Sequence, residues 1–401
     1  MRSRKRRILL LALPKTLPPD RRLRPYALWA LVALLALSAV RLWVLLRCQP
    51  LGMDFLPLWT AGRFAWSHPG QIYDFAAISH AQGWLLPGFK WLRPFVNPPT
   101  ALLLLAPLGA LPFGLALGLW VTLGFGAFLF AGARLAAGRW PFALLLMGLA
   151  PAVVLAAIVG QSVLLGTALM VLGIVELPRR PKLAGALIAL AAAIKPQVAL
   201  LAPVALFAGG AVEALVSAAV VETVLVAASM VVFGPARWSE WLASLPGFQA
   251  VIDSTPGLVP GVITPGGAAH LLGLTGVVAT VWRAVFALAG LAVVWRAFRS
   301  TPRAAHRLAF LAAGTLLAAP YAMHYDGALL VPAAVVLAVE AIEAQAWALR
   351  LVAFCFVCEV TTPYAGFLCV LAFTALIVLG ARSAPRVAPD PSRLSSAAAR
   401  T

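Results

Sequence analysis

Acidic side chains are scarce in this sequence, which has 31 Lys and Arg against 13 Asp and Glu in 401 residues. Asp54, in Met53-Asp54-Phe55, stands just beyond the first long apolar run. A carboxylate held near a hydroxyl can take its proton as the oxygen attacks, so Asp54 is the candidate general base. The plainer alternatives are a solvated loop acid or a helix N-cap. Lys195 follows Ala193-Ile194 and precedes Pro196. A lysine there either snorkels to the membrane surface or faces a cavity and neutralises a phosphate. Proline breaks the helix and frees a carbonyl, as occurs where backbone lines a cavity, so the phosphate reading is preferred. His324 lies in Pro320-Tyr321-Ala322-Met323-His324-Tyr325-Asp326. It is a candidate proton carrier or phosphate hydrogen-bond donor, with an interfacial histidine in an aromatic belt as the alternative. Asn97, in Phe95-Val96-Asn97-Pro98-Pro99, and Gln161, in Gly160-Gln161-Ser162, could bind substrate or cap helices and turns. Ile72-Tyr73-Asp74 reads as a structural turn.

These groups need elements to hold them, and the composition says which. The chain is 62% hydrophobic and 11% charged, with mean hydropathy +0.95. Ordinary soluble domains are about 45–50% apolar and about 25% charged, so the fold class is an all-α polytopic membrane protein. A span needs about 20 apolar residues, and the apolar runs suffice for about twelve, some short or broken. The net charge of +18 falls in clusters between apolar runs, near residues 2–7, 21–24, 179–182, 296–307 and 382–400. That is the pattern that keeps basic loops cytoplasmic, not the footprint of a nucleic-acid partner.

The pattern predicts a basic cytoplasmic arm over 1–25, a single transmembrane domain over 26–381 and a disordered cytoplasmic tail over 382–401. Long external loops are expected near 47–97 and 234–270, the first with amphipathic helices on the outer leaflet over 54–68 and 75–86. The short apolar pieces 183–194 and 198–207 read as broken helices beside a cavity. On this topology Asp54, Asn97, Gln161, Lys195, His324, Tyr325 and Asp326 all reach the external face. Polar groups at that depth are costly and mark function, so one external cavity is expected. Cys355 and Cys358 sit within an apolar run and read as packed thiols, not as a redox or zinc pair. No D-x-D cluster of the kind hard cations favour is present, so neither metal nor cofactor is expected.

In order and spacing, Met53-Asp54-Phe55, Ile72-Tyr73-Asp74, Asn97-Pro98-Pro99, Gly160-Gln161-Ser162, Lys195-Pro196 and Pro320-Tyr321 with His324-Tyr325 resemble glycosyltransferase family 87. The resemblance spans roughly residues 54–332. It implies the GT-C fold in a bacterial inner or plasma membrane, with both termini cytoplasmic and the active site facing the exterior. It also implies transfer of a sugar, mannose in the well-known members, from a polyprenyl-monophosphate donor to a lipid or glycan acceptor by an inverting displacement. Residue by residue, Asp54 would be the base, His324 would assist at the donor phosphate or acceptor, and Lys195 would bind phosphate. Gln161, Asn97 and Tyr325 join them as substrate-binding candidates. Family members often have Tyr-Pro-Pro where this chain has Val96-Asn97-Pro98-Pro99, and the external loops differ enough to leave the acceptor open. A transporter or lipid flippase is the competing class, because broken helices and intramembrane charge also suit transport. The sequence lacks the paired halves that transporters usually show.

Overall fold

The structure is a computed structural model, and it describes residues 51–85, 93–137, 140–254, 258–343 and 348–383, with isolated positions between 32 and 47. The expected cytoplasmic arm, nearly all of the first expected span and residues 384–401 of the expected tail lie outside the described residues. Among the described residues every extended element is helical. The one isolated bridge pairs Val262 with Met323 in antiparallel sense.

Among the described residues three helices are each long and apolar enough to cross a membrane: Phe113–Ala136, Val212–Phe233 and Gly276–Ser300. Shorter apolar helices include Pro99–Gly109, Val163–Glu176, Pro181–Ile194, Ala304–Ala318 and Gly366–Gly380. The chain is thus a multi-pass membrane protein. Helix Phe113–Ala136 shows why such a segment is stable in lipid. Its residues Ala116, Trp120, Gly124 and Phe128 are buried, while Leu115, Leu119 and Leu123 are exposed. Both sets recur about every four residues, so one stripe packs inward and the other meets acyl chains. The segment expected as a single span over 140–158 is instead a pair of helices, Pro141–Leu149 and Pro151–Val159, bent by 60°. Pro151 has no N–H to continue the ladder, and Ala150 before it is extended, as the steric clash with a following proline requires.

The elements that build the site are labelled here in chain order: α1 (Phe55–Ser67), α2 (Phe75–Leu85), α3 (Pro99–Gly109), α4 (Phe113–Ala136), α5 (Pro151–Val159), α6 (Val163–Glu176), α7 (Pro181–Ile194), α8 (Ala236–Ser254), α9 (Ala304–Ala318) and α10 (Val331–Glu343). The helices expected over 54–68 and 75–86 form, but α1 does not lie on a membrane surface. Residues Phe55 to Gly62 are buried, and α1 packs along α3. A Cβ on Gly62 would fall 2.2 Å from the Leu105 carbonyl oxygen, and one on Gly109 would fall 2.2 Å from the Arg63 nitrogen. Only glycine permits backbones this close. Aromatic rings join α1 to α4 as well, with Phe55 stacked on Trp120 at 5.6 Å and Trp59 edge-on to Phe113 at 5.6 Å. Burying such rings outweighs whatever interfacial preference α1 has. In contrast, α2 buries only Ile78 and Gln82. The second expected loop, 234–270, is also partly helical, since it contains α8 and a short helix, Pro265–Leu271.

Candidate active site

Asp54 ends the turn before α1. Its backbone N–H donates to the Val159 carbonyl at 2.9 Å, and the Gly52 N–H donates to the Ile158 carbonyl at 2.9 Å. These bonds fasten the start of α1 to the end of α5. There Gly160 turns the chain with φ 73°, a left-handed conformation that L side chains avoid. A side chain at Gly160 would also strike Phe55, whose Cβ would be 2.6 Å away. The turn delivers Gln161 directly to Asp54.

Although Asp54 occupies the N-cap position of α1, its side chain makes no capping bond. One carboxylate oxygen instead pairs with the guanidinium of Arg93. The other accepts from Gln161 Nε2 at 3.0 Å. Gln161 Oε1 accepts in turn from Lys195 Nζ at 3.3 Å. Lys195 Nζ pairs with Asp326 Oδ1 at 2.5 Å, and Asp326 Oδ2 accepts from the Met323 backbone N–H at 2.9 Å. Arg93, Asp54, Gln161, Lys195 and Asp326 therefore form one unbroken chain of polar contacts. Asp54 is 6% exposed, Lys195 8% and Asp326 6%, so water screens these charges little. The solvated-loop reading of Asp54 and the snorkelling reading of Lys195 both give way to this network.

Each member is held by a local break in regular structure. Lys195 ends α7 with φ −147° and ψ 88°, as expected for a residue before proline. Pro196 leaves carbonyls near the helix end without their usual donors. Two side chains at the start of α3 supply substitutes: Asn97 Nδ2 donates to the Ile194 carbonyl at 2.7 Å, and Thr100 Oγ1 donates to the Ala193 carbonyl at 2.9 Å. The structure therefore places Asn97 behind Lys195, on the backbone that presents it. The segment carrying Arg93 is clamped from three sides. Gln82 Nε2 donates to the Arg93 carbonyl at 2.8 Å, Trp241 Nε1 to the Val96 carbonyl at 3.0 Å, and Tyr73 OH to the Asn97 carbonyl at 2.9 Å. Tyr73 is thus structural, as its turn-like sequence suggested.

His324 and Tyr325 open the short 3-10 helix His324–Leu329, which connects α9 to α10. Their rings lie 5.6 Å apart, and Lys195 Nζ sits 5.2 Å from the centre of the Tyr325 ring. Residues from the second loop press on this helix: the Ile263 N–H donates to the Ala322 carbonyl at 2.9 Å. A Cβ on Gly261 would come within 2.4 Å of His324 Nδ1. Burial lowers the pKa of His324 below its ordinary value, opposed by the fields of Asp54 and Asp326. The imidazole is therefore held neutral near pH 7. Burial, with Asp54, Tyr321 and Asp326 adding, raises the Tyr325 phenol, so it keeps its proton and can donate.

All six expected site residues, Asp54, Asn97, Gln161, Lys195, His324 and Tyr325, gather in this region. Sequence reading gave no role to Arg93, and it placed Asp326 at the same face without a partner. Among the described residues no group of three or more His, Cys, Asp or Glu side chains is arranged to hold a metal ion.

The fold and this buried charge network define a multi-pass membrane protein with an enclosed polar site between helix breaks. The chain matches the model for glycosyltransferase family 87 over residues 95–320. It belongs to that family and is a membrane glycosyltransferase. The match covers Asn97, Gln161 and Lys195, while Asp54, Arg93, His324, Tyr325 and Asp326 lie outside it and join the site by contact. No curated protein and no solved structure matches the chain.

Proposed function

We propose that this glycosyltransferase moves a sugar, mannose by its family resemblance, from a polyprenyl-monophosphate donor to a hydroxyl of a lipid or glycan acceptor. The reaction is placed at the external face of a bacterial inner or plasma membrane, in a GT-C domain of about twelve spans. The observation that carries this reading is the buried Asp54 carboxylate, aimed away from its own helix and held by Arg93 and Gln161 in the same network as Lys195.

The chemistry is a single displacement. The acceptor oxygen attacks the anomeric carbon, and Asp54 takes the hydroxyl proton. The bond from that carbon to the phosphate oxygen breaks, and the phosphate leaves with the electron pair. One displacement inverts the anomeric centre. Both Asp54 oxygens already accept a hydrogen bond, but each carries a second lone pair, and one of these can receive the proton. Lys195 supplies positive charge to the departing phosphate, and neutral His324 and the Tyr325 hydroxyl supply hydrogen-bond donors. Gln161 fixes the distance between base and ammonium. Asn97 acts through the backbone of Ile194, positioning Lys195. The cationic side chains provide the charge stabilisation that this mechanism needs, so it calls on no cofactor.

The test is Asp54→Asn, which preserves shape and removes basicity. Purified protein is incubated with polyprenyl-phosphate-mannose and candidate lipid acceptors. Transfer should fall about 10²–10⁴-fold, the range ascribed to a general base, with thermal stability close to wild type. Wild-type transfer by this variant would remove Asp54 from the role.

A further inference from the structure

The network balances its charge. Arg93 and Lys195 contribute two positive charges, and Asp54 and Asp326 contribute two negative ones. A donor phosphodiester brings one negative charge. When the sugar leaves, the phosphate becomes a monoester, whose second ionisation lies near pH 6, so it approaches two negative charges. The second charge develops in a buried place where an uncompensated ion is costly. His324 does not meet it, because burial keeps that ring neutral. Lys195 already faces Asp326, and nothing in the proposed reaction neutralises Asp326.

Asp54 is different. As the proposed base it loses its negative charge at the moment the phosphate gains one, and Arg93 is the cation paired with it. We infer that Arg93 changes partners during transfer, holding Asp54 as a carboxylate beforehand and passing to the departing phosphate as Asp54 takes the proton. The inference rests on the base reading of Asp54. The balance is complete: one proton moves from acceptor to Asp54, one electron pair moves from the carbon–oxygen bond to phosphate, and total charge is unchanged. The geometry favours a swing of the side chain, not of its backbone. Gln82 holds the Arg93 carbonyl and Trp241 holds the Val96 carbonyl. The guanidinium also reaches Met53 Sδ at 3.7 Å, a soft contact that is easily exchanged. The planar fork of arginine suits both carboxylate and phosphate.

The test reads binding, independently of turnover. Asp54→Asn imitates the protonated base, so it should weaken the hold of residue 54 on Arg93 and let the guanidinium turn to phosphate. A short-chain polyprenyl monophosphate, the reaction product, should bind this variant about tenfold to a hundredfold more tightly than wild type, as expected for one new charge-assisted contact. The gain should vanish in Asp54→Asn/Arg93→Gln, and the uncharged polyprenol should show no gain in either. Equal affinity of wild type and Asp54→Asn for the phosphate would overturn the inference, as would a gain that survives in the double variant or appears with polyprenol. The first comparison decides even if the double variant fails to fold. Retained sugar transfer by Asp54→Asn would instead sink the base reading, so the two failures are distinguishable.

Discussion

The Lys195–Asp326 pair offers the sharpest separation of stability from chemistry. Both side chains are buried at the junction of α7 and the 3-10 helix His324–Leu329, and they link segments far apart in sequence. Lys195→Met strips Asp326 Oδ1 of its donor and leaves only the Met323 N–H on Oδ2. It also leaves the network with two carboxylates against the single cation Arg93, which pairs with Asp54. Asp326→Asn leaves the ammonium with the Gln161 oxygen at 3.3 Å and the Tyr325 ring. Breaking one side of a buried pair costs about 3–5 kcal/mol, and each single variant should lose that much. The double variant buries no unpaired charge, so the two losses should not add. A coupling of about 2–3 kcal/mol is expected. Thermal or denaturant unfolding in detergent, followed by fluorescence of the 13 tryptophans, measures all four proteins. Sugar transfer measures the rest: the double variant should recover much of its stability and none of its activity, because the cation proposed to face the phosphate is gone. Additive losses would show that the pair is not coupled. Wild-type transfer by the double variant would show that Lys195 does not serve the phosphate.

Two further outcomes follow from the same geometry. Asn97→Ala removes the donor to the Ile194 carbonyl; leaving a buried acceptor unmet costs about 1–3 kcal/mol, and transfer should fall with it because Lys195 loses its support, whereas Asn97→Asp should not restore either, since a carboxylate cannot donate. For His324 the sign is set by burial, which lowers the folded-state pKa below 6.5. The unfolded chain then binds the proton first, so the stability contributed by neutral His324 is present above pH 6.5 and is lost as pH falls through the folded pKa. Melting temperature should therefore fall more steeply on acidification in wild type than in His324→Gln, and parallel curves would refute a buried neutral imidazole.

The sequence disclosed the members of this site that sit at a visible break. Lys195 precedes a proline, Gln161 follows a left-handed glycine, Asp54 follows a long apolar run, and Asn97 precedes two prolines. Each break is a local property, so the residue beside it stands out. Arg93 also precedes a proline, Pro94, but in a proline-rich stretch that mark alone does not give it a partner. It falls in the same expected loop segment, 47–97, as Arg63, which lies in α1 over the Trp59 ring, and nothing nearby in sequence separates a cation that stacks on an aromatic from one that reaches Asp54 across 39 positions. Asp326 was visible as an acid but not as a counter-ion, because its partner is 131 residues away. The surface placement of α1 failed for a related reason. Its aromatics suit a membrane interface equally well, and only the paired glycines Gly62 and Gly109 reveal that another backbone lies against it.

That contrast bears on how the site works. The proposed lipid-phosphate donor calls for cations, yet lone buried cations are costly. The present arrangement pairs each one with a carboxylate of a different kind. Asp326 is anchored by the Met323 N–H, so it is a fixed counter-ion and keeps Lys195 tolerable in the resting protein. Asp54 is bound only by side chains, Arg93 and Gln161, both of which can relax when its charge disappears. A fixed pair and an exchangeable pair, joined through one glutamine, would let the site remain neutral while empty and turn a second cation toward the phosphate as the acceptor proton is taken. Exchanging the two characters, by giving Asp54 a backbone donor or depriving Asp326 of its own, would remove that timing even with every charge retained.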